Sequence, residues 1–393
     1  MLSWEDKPAL MAMRCSRAWV EIDLHAIRHN VQQFKQLLQP TTDLMAVVKA
    51  DAYGHGATAV AQVAIEAGAT WLGVATVPEG IELRQAGLEV PILVMGALRH
   101  PEEVEALVRW RLQPTIVDLD QAILFSKAID SDGPPLPIQL KLDTGMSRLG
   151  CSWQRAAEFV DGVSQLPNLK VVSLYSHFAT ADEADPTVME MQHQRFQTAI
   201  AALRTRDLLP PHIHLANTAA TMAAAAALQY DMVRIGLGIY GLSPAPHLTP
   251  ALSLRPALTL KARITQVKPI AAGTGVSYGH RYVAPRNMTI AVVGIGYADG
   301  VPRQLSNRLQ VSIHDQRVPQ IGNITMDQLM LDVSALETVM PGDIVTLISP
   351  DAGLTADAWA SHLSTISWEI LCGFKHRLPR ILLGNRQEIP LPG

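Results

Sequence analysis

Short apolar runs alternate with segments of helical character along the first two thirds of the chain. Eight such runs occur, at residues 44–48, 71–75, 91–95, 114–117, 138–142, 170–175, 211–215 and 231–235. A short, largely apolar run is typical of a strand that is buried on both faces, as in a parallel sheet. The segments between the runs, such as 101–111, 153–165 and 189–204, have helical period or composition. Eight β–α units in about 200 residues predict a TIM-type (β/α)8 barrel.

The pattern changes after Gly241. Residues 244–256 are rich in proline, as is typical of a linker, and strand-like runs separated by Gly and Pro follow. These runs lie at 258–267, 288–295, 329–333 and 343–348, with short helices predicted near 356–363 and 368–372. The sequence therefore predicts an α/β protein with a mostly antiparallel, β-rich C-terminal domain at 257–393.

The N-terminal part of the chain is harder to assign. Residues 17–243 are predicted to form the barrel domain, but the first strand and helix, at 19–38, could instead pack with the C-terminal domain. Residues 1–16 are predicted to be an extension, in which Met11 and Met13 are alternative starts.

Composition narrows the functional classes. The net charge is −4 and the basic residues are scattered, so there is no electrostatic case for nucleic-acid binding. The three cysteines are far apart, which gives neither metal-ligand spacing nor a disulfide framework and favours a reducing cytoplasm. The opening MLSWEDKPAL does not resemble a signal peptide, and the longest apolar stretch, 219–228, is too short to cross a bilayer. We expect a cytoplasmic protein without a membrane segment.

The candidate chemistry lies where the predicted barrel strands end, because those ends share one face of the barrel. Lys49 follows the buried run 45–48, and burial would lower its pKa, which suits an amine that forms a Schiff base. Arg148, His177 and Arg234 follow or end later strands. Three of these residues have simpler alternatives. Lys49 could be a snorkelling lysine, Arg148 could form an ion pair with Asp143, and His177 could be a hydrogen-bonded core histidine.

Glycine-flanked turns follow the last two barrel strands. Gly236 and Gly238 come directly after the eighth run, and Thr218 opens the helix after the seventh. Backbone N–H groups at such turns form the usual phosphate site of these barrels, although turn geometry alone would also explain the glycines. A phosphate site facing a lysine at a strand end is what pyridoxal phosphate (PLP) requires.

The sequence resembles the alanine racemases, the barrel-fold PLP enzymes that interconvert L- and D-alanine. The motifs that carry the resemblance are AVVKADAYGHG at 46–56, KLDTGMSRLG at 141–150, SHFATAD at 176–182, HLANTAA at 214–220, VRIGLGIYG at 233–241, GVSYGH at 275–280, GIGYADG at 294–300 and ITMDQ at 324–328. They follow one another in order across both predicted domains.

The resemblance implies two catalytic bases. Lys49 would hold PLP covalently and act on one face of the substrate, and Tyr278 of a neighbouring subunit would act on the other. A tyrosine titrates near pH 10 when unperturbed, so it needs help to act as a base, and the resemblance assigns that help to His177, backed by Arg234. The active form would be a homodimer with shared sites, and the enzyme would supply D-alanine for peptidoglycan.

The resemblance also implies binding roles. Arg234 would face the pyridine nitrogen of PLP, and phosphate contacts would come from Tyr53, Thr218, Gly236, Leu237 and Tyr240. Arg148 and the backbone of Met326 would bind the substrate carboxylate, and Tyr297 would line the site. Lys141 matches a lysine that is often carbamylated in the family and would then give Arg148 a negative partner; a free lysine paired with Asp143 is the alternative.

Two positions depart from the family pattern. Trp368 stands where a tyrosine usually narrows the substrate entrance, and Asn323 stands where many members have an arginine of the entrance corridor. Both changes leave a side activity on serine open.

Two other functions fit a PLP-binding barrel. A decarboxylase of this fold would place an acid at the pyridine nitrogen and a cysteine motif in the β domain, whereas this chain has Arg234 and no such motif. A non-catalytic PLP-binding barrel would lack the second domain altogether.

Overall fold

Eight parallel strands form a closed barrel in the computed structural model, which describes residues 17–129, 133–223, 226–351 and 353–384. Labelled in chain order, the strands of the barrel sheet are β2 (Asp43–Val47), β3 (Trp71–Val74), β4 (Ile92–Ala97), β5 (Gln113–Ile116), β6 (Leu136–Asp143), β7 (Cys151–Ser152), β8 (Leu169–Tyr175), β9 (His212–His214) and β10 (Met232–Ile235). The sheet runs β5-β4-β3-β2-β10-β9-β8-β6, and pairing of β5 with β6 closes it. The two-residue strand β7 pairs with the end of β6. The predicted barrel is confirmed.

Helices follow the barrel strands in the order that the sequence predicts. They are α1 (Leu24–Leu37), α2 (Lys49–Gly54), α3 (Ala57–Glu66), α4 (Val77–Gln85), α5 (Pro101–Arg109), α6 (Leu119–Ala128), α7 (Ala156–Ser164), α8 (Thr187–Arg204) and α9 (Thr218–Ala223). Helix α5 illustrates the pattern, because Val104 and Leu107 are buried while its glutamates Glu102 and Glu105 are exposed. No helix in the described ranges is both long enough and apolar enough to span a bilayer.

The C-terminal sheet is mostly antiparallel. Its elements are β1 (Ala18–Asp23), β11 (Leu258–Ile270), β14 (Met288–Val293), β15 (Gln310–Ile313), β16 (Gln316–Ile321), β17 (Leu329–Asp332), β18 (Ile344–Ile348) and β19 (Arg380–Leu383), with helices α10 (Ala356–Leu363) and α11 (Ser367–Cys372) and the small pair β12 (Gly275–Val276) and β13 (Tyr282–Val283). Strand β11 pairs with β1, β14 and β18. Burial alternates along its first half, where Leu258, Leu260, Ala262 and Ile264 are buried, as in a sheet with one covered face.

The first strand lies in the C-terminal sheet, while most of the helix after it belongs to the barrel unit. Strand β1 pairs antiparallel with β11 and parallel with β19. Residues 26–52 and 56–255 form one compact unit, and the other described residues form a second. Strand β1 has no exposed polar face that would distinguish it by pattern, since Trp19, Val20, Glu21 and Ile22 are all buried. The predicted extension at 1–16 lies outside the described residues.

The hairpin of β15 and β16 is not predicted by the sequence. Its buried residues Val311, Ile313 and Val318 alternate with polar ones, but a two-residue loop of His314 and Asp315 joins the strands. Both loop residues have positive φ, 48° and 61°, the geometry that hairpins usually fill with Asn-Gly or Asp-Gly. Without glycine at the turn, the usual hairpin signal is missing.

One buried asparagine ties α1 to the chain that follows the last barrel strand. The amide of Asn30 donates to the carbonyls of Ile239 at 3.0 Å and Arg255 at 2.8 Å, and its oxygen accepts from the Arg255 N–H at 2.8 Å. Three backbone groups are thus satisfied by one side chain.

Replacing Asn30 with alanine should therefore lower the free energy of unfolding by about 2–4 kcal/mol, because buried backbone groups lose their partners. Urea denaturation would show this as a lower midpoint with an unchanged slope. Gln32→Ala, on an exposed position of the same helix, is the matched control and should change stability by less than about 0.5 kcal/mol. Equal midpoints for the two variants would contradict the assignment.

Candidate active site

Lys49 begins a left-handed helical turn at the end of β2. Residues 50–53 have φ of 53°, 51°, 50° and 54°. Non-glycine residues adopt this conformation at a cost of roughly 1–2 kcal/mol each, so the surrounding structure must hold it. The Ala50 N–H donates to Glu79 Oε1 at 2.7 Å, and the Ala57 N–H donates to Asp51 Oδ1 at 2.8 Å. The sequence did not indicate this left-handed turn.

The barrel unit brings four cationic side chains around one histidine. Burial lowers the pKa of His177 well below its usual value, and nearby positive charges lower it further. Those charges are, in decreasing order of effect, Arg234, Lys141, Arg148 and Lys49. The four predicted cations and the predicted histidine therefore share one region, with His177 in its neutral form.

Arg234 is the centre of this cluster. It is buried, and its Nη1 and Nη2 lie 2.8 Å and 2.9 Å from Nδ1 of His214 and Nδ1 of His177. Nη2 also donates to the carbonyls of Ser176 and Leu215, at 2.8 Å and 3.0 Å. Burial lowers the pKa of Arg234 to about 10, which leaves the guanidinium charged at neutral pH.

The guanidinium determines the tautomers of both histidines. Arginine can only donate, so Nδ1 of His214 and of His177 must both accept. Each neutral ring then has its proton on Nε2. Among the described residues, Nε of Arg234 has no hydrogen-bond acceptor. The Nε–H of the arginine is therefore left for a ligand that accepts.

Tyr175, which the sequence analysis did not single out, forms the base of the cluster. Its ring stacks on His214 with centroids 4.6 Å apart and an angle of 5°. The guanidinium carbon of Arg234 lies 5.2 Å and Nζ of Lys141 5.1 Å from the same ring, a cation–π arrangement. The Tyr175 hydroxyl lies 2.7 Å from Thr115 Oγ1, and burial raises its pKa to about 12. Tyr175 thus stays neutral and supports two cations.

Lys141 is buried among positive charges. Burial lowers its pKa to about 7, and Arg234 and Arg148 act in the same direction. In the described part of the chain no carboxylate forms an ion pair with it or with Arg148. Asp143, the expected alternative partner, instead accepts from the backbone N–H groups of Gly145 at 2.9 Å and Ser147 at 3.1 Å.

The turn after β10 is built around a position without a side chain. Gly236 donates its N–H to Thr218 Oγ1 at 2.9 Å, and residues Leu237–Tyr240 form a 3-10 turn. A Cβ on Gly238 would lie 2.4 Å from the Phe34 ring, so only glycine fits. The Tyr240 hydroxyl donates to the carbonyl of Val47 at 2.8 Å and ties this turn to the strand before Lys49. The opening N–H groups of such a turn suit an anion.

Three predicted site residues lie together in the C-terminal unit. Tyr278, Tyr297 and Met326 are all exposed, and Tyr278 is 74% exposed. The Tyr297 N–H donates to the carbonyl of Thr325 at 3.0 Å, and a Cβ on Gly296 would lie 2.3 Å from that same oxygen. The loops that carry Tyr297 and Met326 are therefore in direct backbone contact.

Asn323 supports the turn that carries Tyr278. It is buried; its side-chain amide donates to the Tyr278 carbonyl at 2.5 Å, and its own carbonyl accepts from Ser277 Oγ at 2.7 Å. Ser277 has a φ of 64°, so the turn needs such support. Trp368 lies half-buried on α11. Tyr53 is buried at the end of α2, and burial raises its pKa.

Two family models cover most of the chain. The model described as "Alanine racemase, N-terminal domain" matches residues 22–244, and the one described as "Alanine racemase, C-terminal domain" matches residues 257–382.

Similar proteins agree with these matches. The chain is 60% identical to an alanine racemase of Nostoc sp. over 93% of this chain and 95% of the relative, and 58% identical to one of Synechocystis sp. over 93% and 99%. Among solved structures, alanine racemase from Streptomyces lavendulae has a TM-score of 0.87 at 38% identity, covering 94% of this chain and 98% of that one. The enzyme from Bacillus anthracis, solved with bound L-Ala-P, has a TM-score of 0.89 at 34% identity, covering 95% and 97%. With both domains matched in order and a barrel end that gathers lysine, arginine and histidine, the chain belongs to the alanine racemase family.

Proposed function

We propose that this protein interconverts L-alanine and D-alanine with PLP, using Lys49 and Tyr278 as bases on opposite faces of the substrate. The observation that carries the proposal is the barrel end itself. Lys49 follows β2 within electrostatic reach of His177, the buried Arg234 and the two other cations of the cluster. A dianionic phosphate and a substrate carboxylate would compensate this concentration of positive charge.

The residues present fit PLP. The turn that begins at Gly236 and Leu237, with the Thr218 hydroxyl beside it, offers backbone N–H groups at the start of a 3-10 turn, which suit an anion. The free N–H at Nε of Arg234 suits the pyridine nitrogen. Tyr53 and Tyr240 add hydroxyl groups in the proposed phosphate site. When bound through Lys49, PLP supplies the electron withdrawal that makes the Cα proton of alanine removable.

The second base is the phenol of Tyr278. Its exposure on the C-terminal unit favours a role at the site of another subunit, so the proposed active form is a homodimer with shared sites. His177 is suited to assist it, since Arg234 occupies Nδ1 and the Nε2–H remains as a donor. A hydrogen-bond donor stabilises the phenolate form that accepts a proton.

Substrate binding is assigned to three residues. Arg148 is exposed and has no carboxylate partner among the described residues, which leaves it for the carboxylate of alanine. The backbone at Met326 and the Tyr297 side chain complete the assignment. The indole of Trp368 changes the polarity of the proposed entrance relative to a tyrosine, which is compatible with a side activity on serine. A supply of D-alanine for peptidoglycan in the cytoplasm is the proposed role.

Lys141 is proposed to carry a carbamate. Its amine reacts with carbon dioxide in the neutral form, losing one proton and becoming an anion: R-NH2 + CO2 gives R-NH-COO− and H+. A pKa of about 7 makes the neutral amine accessible near physiological pH, and the surrounding cations would stabilise the product.

The proposed reaction predicts that L-alanine incubated with the PLP-loaded protein in heavy water loses its optical rotation and acquires deuterium at Cα. Optical rotation and mass spectrometry measure the two changes. Carbon dioxide release would indicate a decarboxylase instead. A borohydride-reducible chromophore without turnover would indicate a PLP-binding protein.

Tyr278→Phe should retain the visible chromophore and lose most racemisation, by about a hundredfold or more in kcat, because general base catalysis is lost on one face. Deuterium incorporation measured separately from L- and D-alanine should become unequal for the two isomers. Tyr282→Phe is the matched control and should racemise normally, because Tyr282 is a half-buried tyrosine whose hydroxyl donates to Met288 Sδ. Wild-type turnover by Tyr278→Phe would refute the two-base assignment.

Carbamylation predicts a 13C carbamate signal when the protein is equilibrated with 13C-bicarbonate. At constant dissolved carbon dioxide the signal should grow as the pH rises through about 7, because deprotonation of Lys141 precedes the reaction. Lys141→Ala should abolish the signal, and Lys170→Ala, at an exposed lysine, should retain it. A signal that survives in Lys141→Ala would assign the carbamate elsewhere, and no signal in the wild type would show that Lys141 is unmodified.

A further inference from the structure

We infer that Gln139 and Gln113 are positioning residues of the active site, which hold Arg234 in place by stabilising the His214 tautomer that accepts from it. The inference rests on the proposed function, because Arg234 is the group that would face the pyridine nitrogen of PLP. Neither glutamine lies at a carboxyl end of a barrel strand, where the family motifs and the candidate chemistry are found.

The residues form a continuous hydrogen-bonded row inside the barrel. Nη1 of Arg234 lies 2.8 Å from Nδ1 of His214, and Nε2 of His214 lies 2.9 Å from Oε1 of Gln139. Nε2 of Gln139 donates to Oε1 of Gln113 at 2.9 Å. His214 and Gln139 are fully buried, and Gln113, the first residue of β5, is half-buried. The row thus joins four strands, β10, β9, β6 and β5.

Every hydrogen bond in the row has a single direction. Arg234 has no lone pair to offer, so Nδ1 of His214 must accept and its proton must be on Nε2. The Gln139 atom that faces Nε2–H must then be the carbonyl oxygen, which turns the amide nitrogen of Gln139 toward Gln113. Gln113 therefore presents its oxygen. The donor-only guanidinium and the acceptor at Gln113 specify the same orientation from opposite ends.

The row bears on catalysis because of what the other tautomer would do. If His214 had its proton on Nδ1, an N–H would point at the N–H of Arg234 Nη1 at hydrogen-bond distance. The guanidinium would have to turn away, and its Nη2 bond to Nδ1 of His177 would be disturbed with it. Two proposed donors depend on the orientation of this guanidinium: the Nε–H of Arg234 for the pyridine nitrogen, and the Nε2–H of His177 for the phenol of Tyr278. A small displacement of such groups lowers the rate of the chemical step.

Stacking limits how else the ring can respond. His214 lies parallel to Tyr175, so it cannot tilt out of the row without losing that contact. Leu215 and Ser176 provide the other carbonyls for Arg234 Nη2, and neither contacts Nη1. Only His214 orients the Nη1 end of the guanidinium, and only Gln139 accepts from His214 among the described residues.

The test compares Gln139→Leu with Gln139→Glu in the PLP-loaded protein. Leucine removes the acceptor at similar volume, whereas glutamate keeps a carboxylate oxygen facing His214 Nε2–H. The primary readout is the position of the His214 ring proton, measured by 15N NMR on 15N-histidine-labelled protein and assigned with a His214→Gln variant. Wild type and Gln139→Glu should have the proton on Nε2 alone. Gln139→Leu should show part of the population with the proton on Nδ1, because the Nε2–H then lacks its acceptor while Arg234 still opposes the other tautomer.

Kinetics and absorbance supply the second readout. Gln139→Leu should lower kcat for alanine racemisation by about tenfold, with a smaller change in KM, as expected for loss of one orienting hydrogen bond. The visible band of bound PLP should shift in the same variant, because Arg234 no longer faces the ring nitrogen in a fixed orientation. Gln139→Glu should recover most of kcat. Gln113→Leu should show the same changes to a smaller extent.

Gln229→Leu is the matched control. Gln229 is also a buried glutamine of the barrel unit, but it bonds the backbone of Leu37 and Gln39 and lies outside the row. Gln229→Leu should lower stability, and it should leave the His214 tautomer, the visible band of PLP and kcat as they are in the wild type. If Gln139→Leu does not fold, Gln113→Leu and Gln139→Glu still report the tautomer.

The outcomes separate this inference from the proposed function. A wild type that racemises alanine, combined with an unchanged His214 tautomer and kcat in Gln139→Leu, would overturn the positioning role alone. A wild type with no racemase activity would overturn the proposed function whatever the tautomer. A changed tautomer with wild-type kcat and PLP absorbance would show that the row is structural only and would also overturn the inference.

Discussion

A guanidinium buried inside the barrel determines the orientation of the polar groups around it. Arg234 donates to two histidine rings and two backbone carbonyls, and it can accept from none of them. Its direct neighbours must therefore present lone pairs, and the groups beyond them are oriented in turn. In a low-dielectric interior an unpaired donor or acceptor is expensive, so the arrangement has one satisfied pattern rather than several. That single pattern leaves the Nε2–H of His177 and the Nε–H of Arg234 available for ligands.

Burial also changes the pKa values of the charged groups in this site. Burial lowers the pKa of Lys141, Arg234 and His177, and the surrounding positive charges lower the pKa of His177 and of Lys141 further. Among the described residues no carboxylate forms an ion pair with Lys141, Arg148 or Arg234. Anions would compensate this positive charge, whether from a phosphate, a substrate carboxylate or a modified lysine. The binding of a phosphate and a carboxylate that we propose for this protein thus follows from a local excess of positive charge.

Sequence reasoning succeeded where local pattern and local structure coincide. Most of the eight barrel strands lie in short, largely apolar runs, and burial on both faces makes that pattern distinct. Lys49, Arg148, His177 and Arg234 were predicted because they interrupt or follow those runs. His214 and Gln139 are also polar residues in buried strands, and the alternation of Gln139 with Lys141 was a readable sign that both point into the barrel. The pattern does not show which buried polar side chains meet, because that depends on the pairing of strands that are distant in the chain.

By itself, the sequence determined the order of strands and helices, the division into a barrel and a β-rich part, and the identity of the residues at the strand ends. These depend on hydrophobic periodicity and short motifs, which are local properties. Only the tertiary structure decided that β1 pairs with β11 and β19, that residues 50–53 are left-handed, and that one row of side chains links β5 to β10. Each of these is decided by partners that are distant in the chain or by the direction of hydrogen bonds, and neither appears in a pattern of apolar and polar positions.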